Sequence, residues 1–381
     1  MTTSTATLGE IAEFVNGAAF SESDWSDSGM KIIRIQNLTD PTKPFNKTSR
    51  PMKDAIVVRP GDLLVSWSAT LGVFEWRESE NALLNQHIFR VIPDLQRVDK
   101  DYLRHVLSVA VSDMGHRTHG ATMKHINRAE FLGTQVPLPR LEEQRRIASI
   151  LDVAYALRTK RRQTLEKLDD LAQSIFIEMF GDPVKDGQEW DLFTLSELTN
   201  GIFDCPHSTP KWTSQGKICV RTSNLGRGNW IWEDKRFVSE ATFLERSRRG
   251  RLEAGDIVLS REGTVGIAAI VPDDLEMCMG QRLVQVKPNF KLALPQFLLD
   301  VLLFILEPKR INHFMAGSTS KHINVKELRN LPIPLPPMQL QKTYVAYMEK
   351  IEMFRLSMLQ AQGSFEALLG SLQHQAFRGE L

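Results

Sequence analysis

The chain has 381 residues, 42% of them hydrophobic and 24% charged, with a formal net charge of +1. That length exceeds one ordinary core, so two or more domains are expected. No apolar run approaches the roughly 20 residues that cross a bilayer, and a near-neutral balance is not that of a chain coated with cations.

The first residues, Met1 to Thr5, carry no basic side chain and lead into no apolar segment, so they do not read as a secretory signal. Thr7-Leu8-Gly9-Glu10-Ile11 opens a first module. Segments 31–38, 62–68, 73–76 and 87–92 are short, rich in β-branched or aromatic residues, and bounded by turn formers; they predict strands. Gly61-Asp62 sits where a turn feeds a strand. Segment 101–114, with Leu103, Val106, Leu107 and Ala110 on one face, predicts a helix. Then come Gly120-Ala121-Thr122-Met123-Lys124-His125-Ile126-Asn127, with Asn127 expected as a helix cap, and Val136-Pro137-Leu138-Pro139.

After Pro139 the period changes. Glu142 and Glu143 place negative charge in a first helical turn. Ile147, Ile150, Ala154, Leu157, Leu168, Leu171 and Ile175 follow at a spacing of 3–4, as in a coiled-coil seam. Gly181-Asp182-Pro183 predicts the stop.

From there the series starts again. Thr194-Leu195-Ser196-Glu197-Leu198 repeats the opening, and Arg34, Asn37 and Leu38 return as Arg221, Asn224 and Leu225. Gly61-Asp62-Leu63-Leu64-Val65-Ser66, with Thr70 and Gly72 following, returns as Gly255-Asp256-Ile257-Val258-Leu259-Ser260, with Thr264 and Gly266. Segment 297–306 replaces 101–114. Gly317-Ser318-Thr319-Ser320-Lys321-His322-Ile323-Asn324 and Ile333-Pro334-Leu335-Pro336 close the second module. A second helical seam follows: Tyr344, Met348, Ile351, Met358, Phe365, Leu369 and Leu372. The step between partners is 187 residues at Asn37 and Asn224, 194 at Gly61 and Gly255, and 197 at His125 and His322. A slowly rising step is what loop insertions in one copy produce, so the chain is an internal duplication.

The expected architecture is α+β: globular modules at 1–140 and 184–337, and long helices at 141–183 and 338–381, the two helices pairing as an antiparallel coiled coil with pseudo-two-fold symmetry. Each helical run covers about 40 residues, hence roughly 60 Å. Basic residues gather at Arg246, Arg248, Arg249 and Arg251 and at Arg158, Lys160, Arg161 and Arg162. Cys205, Cys219 and Cys278 lack CxxC spacing, which argues against a zinc site or disulfide frame; buried thiols in a reducing cytoplasm are expected. No phosphate-binding glycine loop, GxSxG, HExxH or Cys/His dyad occurs, and no Asp/Asn-Pro-Pro-Tyr/Phe segment. His125 and His322, beside Lys and Asn without a nearby carboxylate, read as loop hydrogen-bonders. Catalytic residues, metal ligands and cofactors are therefore not assigned.

Two strand-rich copies with G-D-[IL]-[LV]-[LV]-S and G-[AS]-T-x-K-H-I-N, each ending in [VI]-P-[LI]-P and a long helix, resemble the specificity subunit of type I restriction–modification enzymes across the whole chain. The resemblance implies two target-recognition domains reading a split sequence in double-stranded DNA. It implies helices that space the domains and dock two modification subunits, which carry S-adenosylmethionine, and restriction–translocase subunits that join the complex. It also implies no catalysis in this chain.

Two modules reading different half-sites should share what grips phosphate and differ where bases are read. Shared polar residues are thus candidates for scaffold or backbone contact: Arg34 and Arg221, Thr70 and Thr264, Gln86 and Gln281, Thr122 and Thr319, Lys124 and Lys321, His125 and His322. Trp67-Ser68 faces Arg261-Glu262 at one aligned position, so these four are candidates for base readout; Arg261 could address guanine and Glu262 cytosine. A rival reading, a non-catalytic two-domain coiled-coil adaptor for protein partners, leaves a constant scaffold with variable loops unexplained.

Overall fold

The computed structural model describes residues 4–117, 127–184, 190–307, 310, 322–378 and 380. The chain divides into two compact units, Met1–Gln163 with Leu359–Leu381, and Thr164–Met358. Each unit thus takes part of both long helices, where the sequence had suggested consecutive segments.

In the first unit, Ala12–Asn16, Ile88–Pro93, Leu63–Ser66 and Gly72–Glu75 form an antiparallel sheet in that order. A second sheet runs Asn46–Thr48, Met30–Ile33, Ala82–Leu84, Val57–Val58, with Met30–Ile33 parallel to Ala82–Leu84. The second unit repeats the first sheet with Thr199–Asp204, Leu283–Pro288, Ile257–Ser260 and Ala268–Ile270. Its second sheet differs at the edges: Trp212–Thr213, Phe237–Val238, Lys217–Val220, Met277–Met279. The first rise in the repeat step falls between Asn224 and Gly255, in the stretch that holds Phe237–Val238 and the helix Glu240–Arg246.

The repeated sequence motifs are joints. Glu10 accepts the Thr7 amide at 2.6 Å, and Glu197 accepts the Thr194 amide at 2.7 Å, closing the first turn of each module. Gly61 and Gly255 have φ of +87° and +84°, which only glycine takes without strain. The aspartate after each then accepts a turn amide at 2.8 Å, Arg59 for Asp62 and Glu253 for Asp256. The segment 31–38, expected as one strand, breaks after Ile33. The Asn37 side chain accepts the Arg34 amide at 3.1 Å and turns residues Ile35–Thr39 into a helical turn; Asn224 does the same for Arg221 at 3.0 Å. Asn127 and Asn324 cap the short helices Arg128–Leu132 and Val325–Arg329, as expected.

One side of each first sheet is covered by a helix, Lys100–Arg117 or Pro295–Ile305. The first core joins Leu63, Val65, Phe89 and Val91 to Tyr102, Leu103, Val106 and Leu107, and to Ile147 and Leu151 of the long helix Leu141–Phe180. The second joins Ile257, Leu259, Val284 and Val286 to Phe297, Leu298, Val301 and Leu302, and to Phe176, Phe180, Tyr344 and Met348. Cys205, Cys219 and Cys278 are buried free thiols.

The fourth residue of each long helix is a buried glutamine. In Leu141–Phe180, Gln144 donates to the Arg97 and Pro139 carbonyls and accepts the Asp99 amide. In Met338–Ala376, Gln341 donates to the Leu292 and Pro336 carbonyls and accepts the Leu294 amide. Within the first unit the helices touch through Arg158 and Glu366 (2.8 Å), Tyr155 and Gln373 (2.6 Å), and Arg161 over the Phe365 ring. Within the second, Arg355 pairs with Asp169, and Phe176 and Phe180 pack on Tyr344. Leu157 and Leu171, expected in the seam, are exposed; Leu151, Phe176 and Phe180 are buried instead. A straight helix drifts about 20° per heptad against a strict seven-residue repeat, so a seam read over four heptads strays from the true contact line.

Candidate nucleic-acid interface

Each first sheet has one end where the strand Leu63–Ser66 or Ile257–Ser260 finishes and its neighbour Ile88–Pro93 or Leu283–Pro288 begins. Most of the expected residues that lie among the described ones gather there. In the first unit the Ser66 hydroxyl donates to the Thr70 carbonyl at 2.7 Å and to Ser68 at 3.3 Å, tying down a tight turn in which Ala69 takes φ 58°. The Trp67 amide donates to the His87 carbonyl, and the indole packs on His87 and Phe89. Gln86 and Thr70 are exposed, with the Gln86 amide 3.2 Å from His87 Nε2. The adjoining strand Met30–Ile33 delivers half-buried Arg34 to the same end, because the Ile33 carbonyl accepts the Asn85 amide.

The second unit builds the same turn with different side chains. Ser260 reaches the Glu262 carbonyl at 3.4 Å, and the Arg261 amide donates to Arg282, as Trp67 does to His87. Arg261 is 6% exposed, and its guanidinium holds both carboxylate oxygens of Asp204, at 3.0 and 3.3 Å, with His322 Nε2 at 3.5 Å. Glu262 bridges in strand fashion to His322 and pairs with Arg282 at 3.5 Å. Thr264 is exposed, and Gln281 donates to the His207 carbonyl.

Two expectations are corrected here. Arg261 and Ser68 do not face solvent: Ser68 is buried in the turn, and the Arg261 fork is spent on Asp204. The buried residue is the second of the pair in the first unit and the first in the second, so local turn bonds and the Asp204 partner decide the facing, not position alone. Arg246, one of the clustered basic residues, is also buried. It donates to the carbonyls of Met279, Ser208 and Pro206 and so clasps the loop after Asp204. Thr122, Lys124, His125, Thr319 and Lys321 lie outside the described residues.

The sequence reading missed Asp204, His207 and Arg282. His207 pairs with Asp204 at 3.3 Å, and Arg282 is exposed at φ 67°. Arg282 follows Gln281 as His87 follows Gln86, so the repeat itself pointed to it. The resulting surface offers cations, amides and imidazoles over a rigid sheet end. Among the described residues, no group of three or more His, Cys, Asp or Glu side chains is placed to hold a metal ion. No described helix is long and apolar enough to cross a membrane.

Two modules of one α+β design, each presenting a polar sheet end of different chemistry, define a duplicated recognition protein. A family model for the type I restriction modification DNA specificity domain matches residues 2–167 and 188–360, and the chain belongs to that family as a non-catalytic, DNA-recognising specificity subunit. The EcoBI specificity subunit of Escherichia coli is 24% identical, over 98% of this chain and 85% of that one. The MjaVIII specificity subunit of Methanocaldococcus jannaschii is also 24% identical, over 78% and 73%. In fold, the chain is similar to a solved subunit from work on complex assembly and conformational transition of the type I R-M system, with TM-score 0.62 and 19% identity over 99% and 98% of the two chains. It is similar to the S subunit from M. genitalium, with TM-score 0.56 and 14% identity over 99% of each.

Proposed function

We propose that each module, 1–140 and 184–337, reads one half of a bipartite duplex target through its sheet end, and that the helices at 141–183 and 338–381 pair as an antiparallel coiled coil to set the spacer. The observation that carries this is a pair of matching scaffolds whose equivalent turns hold Trp67-Ser68 in one copy and Arg261-Glu262 in the other. Backbone contacts suit the shared Arg34, Arg221, Thr70, Thr264, Gln86 and Gln281, and also Thr122, Lys124, His125, Thr319, Lys321 and His322. Base readout suits Trp67, Glu262 and the exposed Arg282.

The coiled-coil reading draws support from contacts inside each unit. Tyr155 meets Gln373 and Arg158 meets Glu366; Asp169 meets Arg355 and Phe176 meets Tyr344. As one helix advances, the other retreats. Apolar side chains left exposed on these helices suit docking of two modification subunits: Val153, Leu157 and Leu368 in the first unit, and Leu171, Ile177, Met353, Phe354 and Leu356 in the second. Those partners would supply S-adenosylmethionine, with restriction–translocase subunits joining in the cytoplasm; this chain would hold no cofactor.

Mapping methylated adenines in cells that carry the chain with its modification subunit tests the reading. A split motif with a fixed gap is expected, and removal of whole heptads between Leu157 and Leu171, matched in the partner helix, should change the gap. A continuous motif, or an unaltered gap, would refute it.

A further inference from the structure

One side-chain pair recurs in both units at the step of the scaffold itself. Trp25 and Trp212 are 187 residues apart, as are Arg34 and Arg221. The Arg34 guanidinium lies 6.0 Å from the Trp25 ring centre, and Arg221 lies 5.9 Å from that of Trp212. Both indoles remain at the surface, 39% and 37% exposed. A cation over an indole face is an attractive pair, and each ring leaves part of its surface free for a partner.

The arginine of each pair is also fixed from behind. Buried Asn37 accepts the Arg34 amide and donates to the Lys43 and Pro44 carbonyls; buried Asn224 accepts the Arg221 amide and donates to Ile231 and Asp234. Around the pair the loops have diverged. Trp25 follows the helical turn Glu22–Asp24, whereas Trp212 begins the strand Trp212–Thr213. Different loops that arrive at the same stacked pair point to a shared task. The pair also adjoins the sheet end already described: the Ile33 carbonyl accepts Asn85, one residue before Gln86, and the Val220 carbonyl accepts Gly280, one residue before Gln281.

We propose that Trp25 with Arg34, and Trp212 with Arg221, are two copies of a phosphate clamp that grips the DNA backbone and reads no base. The indole faces the guanidinium at 6.0 and 5.9 Å in the two copies, and the guanidinium donates to a phosphodiester. The free part of the ring covers the adjoining sugar. Identical chemistry in modules that read different half-sites is what backbone contacts require and base contacts do not. Arg34 has no carboxylate within ion-pair distance among the described residues. The Arg221 Nη2 donates to the Asp234 carbonyl at 2.7 Å and to its carboxylate at 2.9 Å; the carboxylate is 63% exposed, so a phosphate can displace that bond.

The inference rests on the DNA-reading function above, and its test separates the two. The full chain, co-purified with its modification subunit, is titrated with duplex carrying the mapped target and with duplex whose first half-site is scrambled, across a salt series. Trp25→Ala and Arg34→Ala should each weaken both duplexes by about tenfold, and Arg34→Ala should lower the slope of log affinity against log salt by about 0.9, one phosphate. Trp25→Tyr, which keeps a stacking ring, should restore most of the binding, and the methylated sequence should be unchanged in all three. Wild-type affinity and slope in Arg34→Ala, or an altered methylated sequence, would overturn the clamp while the DNA-reading function stands. A wild-type complex that binds neither duplex overturns both.

Discussion

Replacing Gln341 with leucine tests whether one side chain fastens the second module to its long helix. Gln341 is buried, donates to Leu292 and Pro336 at 3.0 and 2.9 Å, and accepts the Leu294 amide at 2.9 Å. Leucine has a similar volume and opens no large cavity, so the change is almost purely polar. A buried donor or acceptor left without a partner costs about 1–3 kcal/mol. The Leu294 N–H bears that cost in full, while the two carbonyls relax more easily, giving a total of about 3–5 kcal/mol. With a denaturant slope of about 2 kcal/mol per molar urea, the midpoint of the affected transition should fall by about 2 M. Unfolding of the full chain, followed by tryptophan fluorescence, reads this directly. Gln341→Glu keeps the acceptor but sets a buried carboxylate oxygen against the two carbonyls, so it should cost at least as much as leucine. A shift below about 0.5 kcal/mol, the size of an ordinary surface substitution, would refute the joint.

Two further outcomes follow from buried polar groups. Asp300, on the helix Pro295–Ile305, accepts from Gln296 Nε2 and from the Tyr344 hydroxyl, both at 2.8 Å, and burial pushes its carboxyl from 3.8 up to about 6. A raised carboxylate contributes stability that is complete below about pH 4 and lost as pH rises through about 6, at most about 3 kcal/mol. Asp300→Asn should therefore outlast the parent in thermal melts at pH 8 and not at pH 4; parallel curves would sink this reasoning. Arg246→Met removes a buried cation from three carbonyls and should destabilise the second unit by about 3 kcal/mol. It should also impair methylation that depends on the second half-site, and intact stability and methylation would count against the clasp.

The duplication was legible because it is written in joints, and joints have sequence signatures. Thr-Leu-x-Glu is a capped turn, Gly-Asp is a left-handed residue with an amide acceptor behind it, and Asn before a short helix is a cap. Each is local, so sequence alone carries it. Burial is not local. Whether Arg261 or Glu262 faces out depends on Asp204, which is 57 residues away in sequence from Arg261. Gln144 and Gln341 escaped notice because a glutamine in the first turns of a helix is ordinary; its partners lie about 45 residues upstream. The seam failed at Leu157 and Leu171 for a geometric reason, the mismatch between 3.6 and 3.5 residues per turn.

The two modules agree most closely where they meet their helices and least where they would meet a ligand. Gln144 and Gln341 make the same three hydrogen bonds at the same helical position, yet the neighbouring contact has diverged in chemistry. In the first unit His105 faces Asp152, with the His105 Nε2 at 2.8 Å; in the second Asp300 faces Tyr344. Burial, with Arg104 alongside, holds His105 below the usual imidazole range, while burial raises Asp300. His105 and Asp300 match in position, but their partners lie eight residues after Gln144 and three after Gln341, so neither titrating pair is itself the requirement. What both copies retain is a polar helix-to-helix bond near a buried glutamine, and directed bonds of this kind restrain how a module turns on its helix. Leaving out either bond would let the module pivot on apolar side chains, which hold position without direction. If the long helices set the spacing as proposed, each recognition surface needs its direction held as much as its distance.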